Sequence, residues 1–99
     1  MATRPNIKIS KGEDNDVYAL LNAQVDEYPD LNLPVVTVSA PLRIQNKGGP
    51  DVYIQEGLAS IEVNGGTTLP TNWQATTTDG AAGVIATCIA DGVINVEVL

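Results

Sequence analysis

Histidine and phenylalanine are absent from this chain, and cysteine and tryptophan occur once each, at Cys88 and Trp73. Without an imidazole no Ser-His-Asp or Cys-His triad can be assembled, and the histidine-based zinc spacings cannot be written. A single cysteine excludes an internal disulfide framework. Basic residues are scarce: five Lys and Arg stand against twelve carboxylates, a formal net charge of −7. Phosphate backbones and anionic bilayers would meet a field of their own sign, so no nucleic-acid or membrane partner is expected. No apolar run approaches the roughly 18 residues of a membrane span, and residues 1–6 lack the apolar stretch of a signal peptide. A soluble protein made in a cytoplasm is the expectation.

What is present is enough for one core. The 99 residues are 43% hydrophobic and 17% charged, which suits a single domain able to offset the entropy of ordering. The charge is uneven. Arg4, Lys8 and Lys11 precede the first acid, whereas residues 48–99 carry six acids and no Lys or Arg.

The alternation Ile7-Lys8-Ile9 suits one strand added to a sheet edge. The segment Val17–Val25 fits two periods. As a helix it would be capped by Asp14 or Asp16, with Val17, Leu20, Leu21, Val25 and Tyr28 on one stripe; as a strand, Val17, Ala19, Leu21, Ala23 and Val25 alternate. The strand is preferred because everything downstream reads as β. Pro29 and Pro34 enforce extended, unpaired backbone and mark a linker. Residues 1–33 are therefore expected to be an extended N-terminal arm and linker, and residues 34–99 a domain.

In that domain, short apolar or alternating runs fall between glycine, proline and Asx turns at the spacing of a sandwich or barrel. The runs are Val35–Ala40, Leu42–Asn46, Val52–Gln55, Ala59–Val63, Trp73–Thr78, Val84–Ala90 and Val93–Leu99. Asn46–Asp51 and Asn64-Gly65-Gly66 read as turns, and Asp79-Gly80 and Asp91-Gly92 as the tips of two closing hairpins. The expected class is all-β, a small β-sandwich or barrel-like domain of about seven short strands.

Residues that could carry chemistry are sparse. Glu56 with Glu62 or Asp51 could make a carboxylate pair, but a solvated face is the simpler reading. Glu13-Asp14-Asn15-Asp16 offers hard oxygen ligands without the glycine and closing glutamate of an EF-hand loop, so it reads as a cap or acidic loop. Ser10, Ser39 and Ser60 show no paired lysine spacing. Trp73 reads first as a core residue, with a subunit interface or a sugar platform as alternatives. Cys88, in an apolar run without basic neighbours, reads as a small hydrophobe. No catalytic residue, metal or cofactor is expected.

Residues 40–99 carry Leu42-Arg43-Ile44-Gln45-Asn46, the turn Lys47-Gly48-Gly49-Pro50, and Val52-Tyr53-Ile54-Gln55-Glu56-Gly57, followed by Leu69-Pro70 and Trp73-Gln74-Ala75. This pattern resembles small β-sandwich bacteriophage virion proteins of the head decoration, or cement, type. The pattern departs from these proteins at Gly83–Ala90, which lacks their Gly-rich tip with a second tryptophan, and Thr77-Thr78-Asp79-Gly80-Ala81-Ala82 is similar to a stretch of the lambda-type head decoration proteins. The resemblance implies a homo-oligomer, a trimer in one form, on the capsid surface of a virion, with the major capsid protein or another virion protein as partner. A tail, neck or fibre-anchoring component and a carbohydrate-binding module are the alternative readings. Strand addition by Ile7 and Ile9, with Arg4, Lys8 and Lys11 pairing to acids on a neighbour, makes the arm the expected attachment device, with Trp73 as a further interface candidate.

Overall fold

The computed structural model describes residues 4–57 and 67–99. Among them are eight strands, β1 (Ile7–Ile9), β2 (Asn15–Asp16), β3 (Leu42–Gly48), β4 (Val52–Glu56), β5 (Thr67–Leu69), β6 (Gln74–Thr76), β7 (Val84–Thr87) and β8 (Gly92–Val98), and one α-helix, α1 (Val17–Glu27). They form two four-stranded sheets, ordered β1-β8-β3-β6 and β2-β7-β4-β5. Every pairing is antiparallel. The expected all-β class holds, with the helix as an addition. The run Ala59–Val63, the turn Asn64-Gly65-Gly66, Ser60 and Glu62 lie outside the described residues.

Period-two alternation builds the core. Leu42, Ile44 and Asn46 of β3 are buried while Arg43 and Gln45 are half-exposed, and Gly92, Ile94 and Val96 of β8 alternate in the same way. They face Val52 and Ile54 of β4 and Val84 and Ala86 of β7 across one hydrophobic cluster. β7 is buried on both faces, because Ile85 forms a second small cluster with Tyr53. That accounts for the unbroken apolar run from Val84.

The segment expected as a strand from Val17 is helical. Asp16 accepts a hydrogen bond from the Ala19 backbone N–H at 3.2 Å, satisfying one of the orphan donors of the first turn. Val17, Tyr18, Leu21 and Gln24 are buried, at the i, i+1, i+4, i+7 spacing of one helical face. Leu20 packs partly against the core, whereas Tyr28, expected on the stripe, is exposed. Val35–Ala40 is likewise no strand. Flanked by Pro34 and Pro41 and turned at Ser39, which has φ 90°, it takes its hydrogen bonds from a side chain instead. Asn22 donates to Val36 O at 3.0 Å and accepts from Val36 N at 2.7 Å.

The two closing hairpins are not hairpins. Asp79-Gly80 joins β6 to β7 and Asp91-Gly92 joins β7 to β8, and in each case the strands lie in different sheets. Asn46–Asp51 crosses over in the same way, and every connection between strands that consists of described residues passes from one sheet to the other. Asn46 locks two of these crossings. Its side-chain amide donates to Pro50 O at 2.9 Å and Leu69 O at 2.8 Å and accepts from Gly48 N at 3.0 Å. Its backbone N–H donates to Trp73 O at 3.0 Å and its carbonyl accepts from Asn72 N at 2.7 Å.

Residues 1–33 do not stand off as an arm in their described part. β1 pairs with β8 in register Ile7↔Ile94, and Ile7, Ile9, Val17 and Leu21 belong to the same cluster as the sheets. Pro34 lies in irregular backbone, but Pro29, expected in extended backbone, opens a single 3-10 turn over Pro29–Leu31, and residues on both sides of the two prolines share one hydrophobic cluster.

Two outcomes follow. Deleting residues 1–12 removes two buried isoleucines, each contributing roughly 1.5–3 kcal/mol, a loss of about 3–6 kcal/mol that leaves the remainder largely unfolded in urea titrations. Asn46→Ala strands two carbonyls and an N–H in the interior and lowers stability by about 3 kcal/mol, read as a fall in Tm of roughly 12–24 °C.

Candidate functional site

The six residues expected to form an attachment surface are divided by the fold. Arg4 is only 5% exposed. Its guanidinium donates to Pro34 O at 2.6 Å, Leu21 O at 3.2 Å and Gln24 Oε1 at 3.4 Å, so it ties the N-terminal segment to α1 and to the 32–41 connector. Gln24 returns a bond to Pro5 O at 2.7 Å, and Asn95 of β8 donates to Arg4 O and Asn6 Oδ1, both at 3.0 Å. Burial pushes the Arg4 pKa below its ordinary value, and the guanidinium stays charged because that value starts so high. Ile7 and Ile9 are core residues. Only Lys8, Lys11 and Trp73 are exposed. Lys8 lies opposite Val93 on β8, and Lys11 is held at its backbone N–H by Asp91 Oδ1 at 3.0 Å.

Trp73, expected first in the core, is 63% exposed. It sits where the chain crosses from β5 to β6, its backbone pinned by Asn46 and by its own N–H to Pro70 O at 3.0 Å. The fixed backbone and free ring arise together, because the crossing satisfies the peptide groups and leaves no sheet face over the indole.

A surface that sequence reasoning missed lies on the connector between α1 and β3. Val35 is 74% exposed, with Leu31 and Val38 about half exposed, and Leu99, whose N–H bonds Pro41 O at 3.0 Å, is also half exposed. Beside them is a cleft of about 260 Å³ whose apolar lining includes Leu33, Val36, Ala40 and Val98, with Arg4 and Glu97 as its charged groups. The signal was in the run Leu33-Pro34-Val35-Val36-Thr37-Val38. It holds four apolar side chains on either side of Pro34, more than a single irregular segment crossing the core can turn inward. Leu33 and Val36 turn inward, and Val35 and Val38 remain outside.

The acidic segment before α1 is used internally. Asp16 caps the helix, while Asn15 donates to Ser10 O, Glu13 O and Ala86 O at 3.0–3.1 Å. Thr87 Oγ1 reaches Glu13 O at 3.3 Å and Asp14 Oδ1 at 3.5 Å. Among the described residues no three metal-ligating side chains converge. Glu56 accepts a hydrogen bond from the Thr78 backbone N–H, and Arg43 and Glu97 pair across β3 and β8 at 2.5 Å on the outer sheet face. Cys88 is fully buried with its Sγ 4.0 Å from Ile9 O, and Tyr18 OH donates to Ala40 O at 2.6 Å. Comparison with protein-family models, curated proteins and solved structures finds no match to this chain.

Burial raises the pKa of the Cys88 thiol above its ordinary 9.0 and that of the Tyr18 phenol above its ordinary 10.0. Both groups hold their protons more tightly in the folded chain, so their contribution is fully present below the unfolded pKa and is lost as pH rises through the folded one. Denaturation midpoints should therefore fall from about pH 9 upward. Cys88→Ala should remove the part of the fall that starts there, and an unchanged alkaline profile in that variant contradicts the assignment.

Proposed function

We propose that this chain is a non-enzymatic virion structural protein of the bacteriophage head decoration type, a small homo-oligomer that attaches to the major capsid protein and reinforces the lattice. The resemblance of Leu42–Gly57 and Trp73–Ala82 to such proteins motivates the reading. The observation that carries it is the rigid connector with outward Val35, Val38 and Leu31. Asn22 and Arg4 fix its backbone from both sides, so its apolar side chains are presented with little entropy left to lose on docking. Exposed apolar side chains held on a fixed backbone favour contact with another protein surface. A tail or neck position would use the same surface.

The exposed Trp73 supports a second reading, a carbohydrate-binding module, since an indole projecting from a fixed turn is the usual platform for a sugar face. A glycan panel monitored by Trp73 emission separates the two. No shift with any glycan removes the module reading.

Co-sedimentation of the full chain with undecorated phage capsids should show saturable binding, and Val35→Asp should weaken it at least tenfold while leaving the thermal unfolding of the free protein unchanged. A chain that ignores every capsid tested, or binding indifferent to Val35→Asp, overturns the proposal.

A further inference from the structure

Four strands border the two sheets: β1 and β6 in one, β2 and β5 in the other. Unpaired strand edges invite pairing with another chain, and proteins blunt them with lysine, proline, charge or brevity. β1 carries Lys8 at its centre and follows Pro5, β2 is two residues long with Asp16 running straight into α1, and β5 ends against Pro70. β6 is as short as β1 and β5, but it carries no lysine, proline or charged residue. It lies within residues 63–78, the longest stretch of the chain without a charged residue.

The pairing of β6 with β3 fixes what its other side offers. Thr77 N donates to Leu42 O and Asn46 N to Trp73 O, so Trp73, Ala75 and Thr77 turn their peptide groups toward β3. Alternation in an antiparallel ladder then turns the N–H and C=O of Gln74 and Thr76 outward. Both residues are exposed, and no described residue bonds these groups.

We infer that the β6 edge is a self-association site that joins two copies of this chain in an antiparallel, two-fold pair. The occupant is a second copy for two reasons. A two-fold contact requires a self-complementary edge, and the register that places Gln74 opposite the second copy's Thr76, with Ala75 facing Ala75, uses every outward N–H and C=O. The non-hydrogen-bonded position, where side chains approach closest, then falls on Ala75, which is small. The net charge of −7 opposes contact between copies over most of the surface, and this edge brings no charge of its own. The result is a two-fold pair rather than the trimer that the resemblance implies, and it stands independently of any capsid.

Sedimentation equilibrium of the full chain from about 1 μM to about 1 mM should show the average mass rising toward twice the monomer. Thr76→Lys and Gln74→Pro should each hold it at the monomer value with an unchanged circular dichroism spectrum. On the unmodified chain, amide exchange at Gln74 and Thr76 should slow as concentration rises. A monomer at the highest concentration, variants that associate like the parent, or exchange at these two amides independent of concentration would each overturn the inference.

Discussion

The arrangement of the sheets depends on the side-chain amide of Asn46. The chain changes sheet at nearly every connection, so peptide groups at each crossing leave one ladder before they enter the next. Buried there without partners, each would cost about 1–3 kcal/mol. Asn46 is fully buried, and its two donors and one acceptor serve the β3–β4 and β5–β6 crossings at once. Thr71 Oγ1 adds a bond to Gly49 O at 3.1 Å between the same two crossings. Aspartate would lose both donors and leucine all three contacts, so the position demands a carboxamide of this length. Trp73 owes its fixed, outward place to the same residue.

At the other side of the molecule α1 and the N-terminal segment take the part that another strand would have taken. Val17, Tyr18 and Leu21 fill the space next to Ile7, Ile9 and β7, and Arg4, Gln24 and Asn22 stitch helix, N-terminus and connector together. Among the described residues no buried side-chain nitrogen or oxygen lacks a partner. The consequence is a connector of irregular backbone that is as well anchored as a strand. It therefore holds apolar side chains outward without needing a ladder beneath them.

Much of this was legible in the residues. β1, β3, β4, β7 and β8 lie where alternation and apolar runs put them, because side-chain parity is set by the pleat. Which sheet each strand joins was not legible, since an Asp-Gly turn permits positive φ equally for a hairpin or for a crossing. Val17–Val25 satisfied both periods, and neither reading called for the buried Tyr18 and Gln24 that seat the helix on the core. The N-terminal basic residues misled for a related reason. Arg4 looks like a surface charge by composition, yet its long planar donor set meets three backbone or amide oxygens that only the folded chain brings together. For the connector surface, the density of apolar residues from Leu33 to Val38 on either side of Pro34 was the available sign.

The exposed features share a physical logic. In a chain whose charge discourages contact with copies of itself, every large apolar side chain left outside is a cost in solubility unless something covers it. Val35 and Trp73 lie on different connections, and an asparagine holds the backbone at each place, Asn22 at the neighbouring Val36 and Asn46 at Trp73 itself. A contact made by so few side chains, or by an edge as short as β6, is weak between free molecules. On a repeating surface neighbouring copies are already at high effective concentration, and weak contacts of this kind add without new area. A two-fold pair through β6 then forms between free molecules only at high concentration, and any surface that held copies side by side would strengthen the same contact without adding to it.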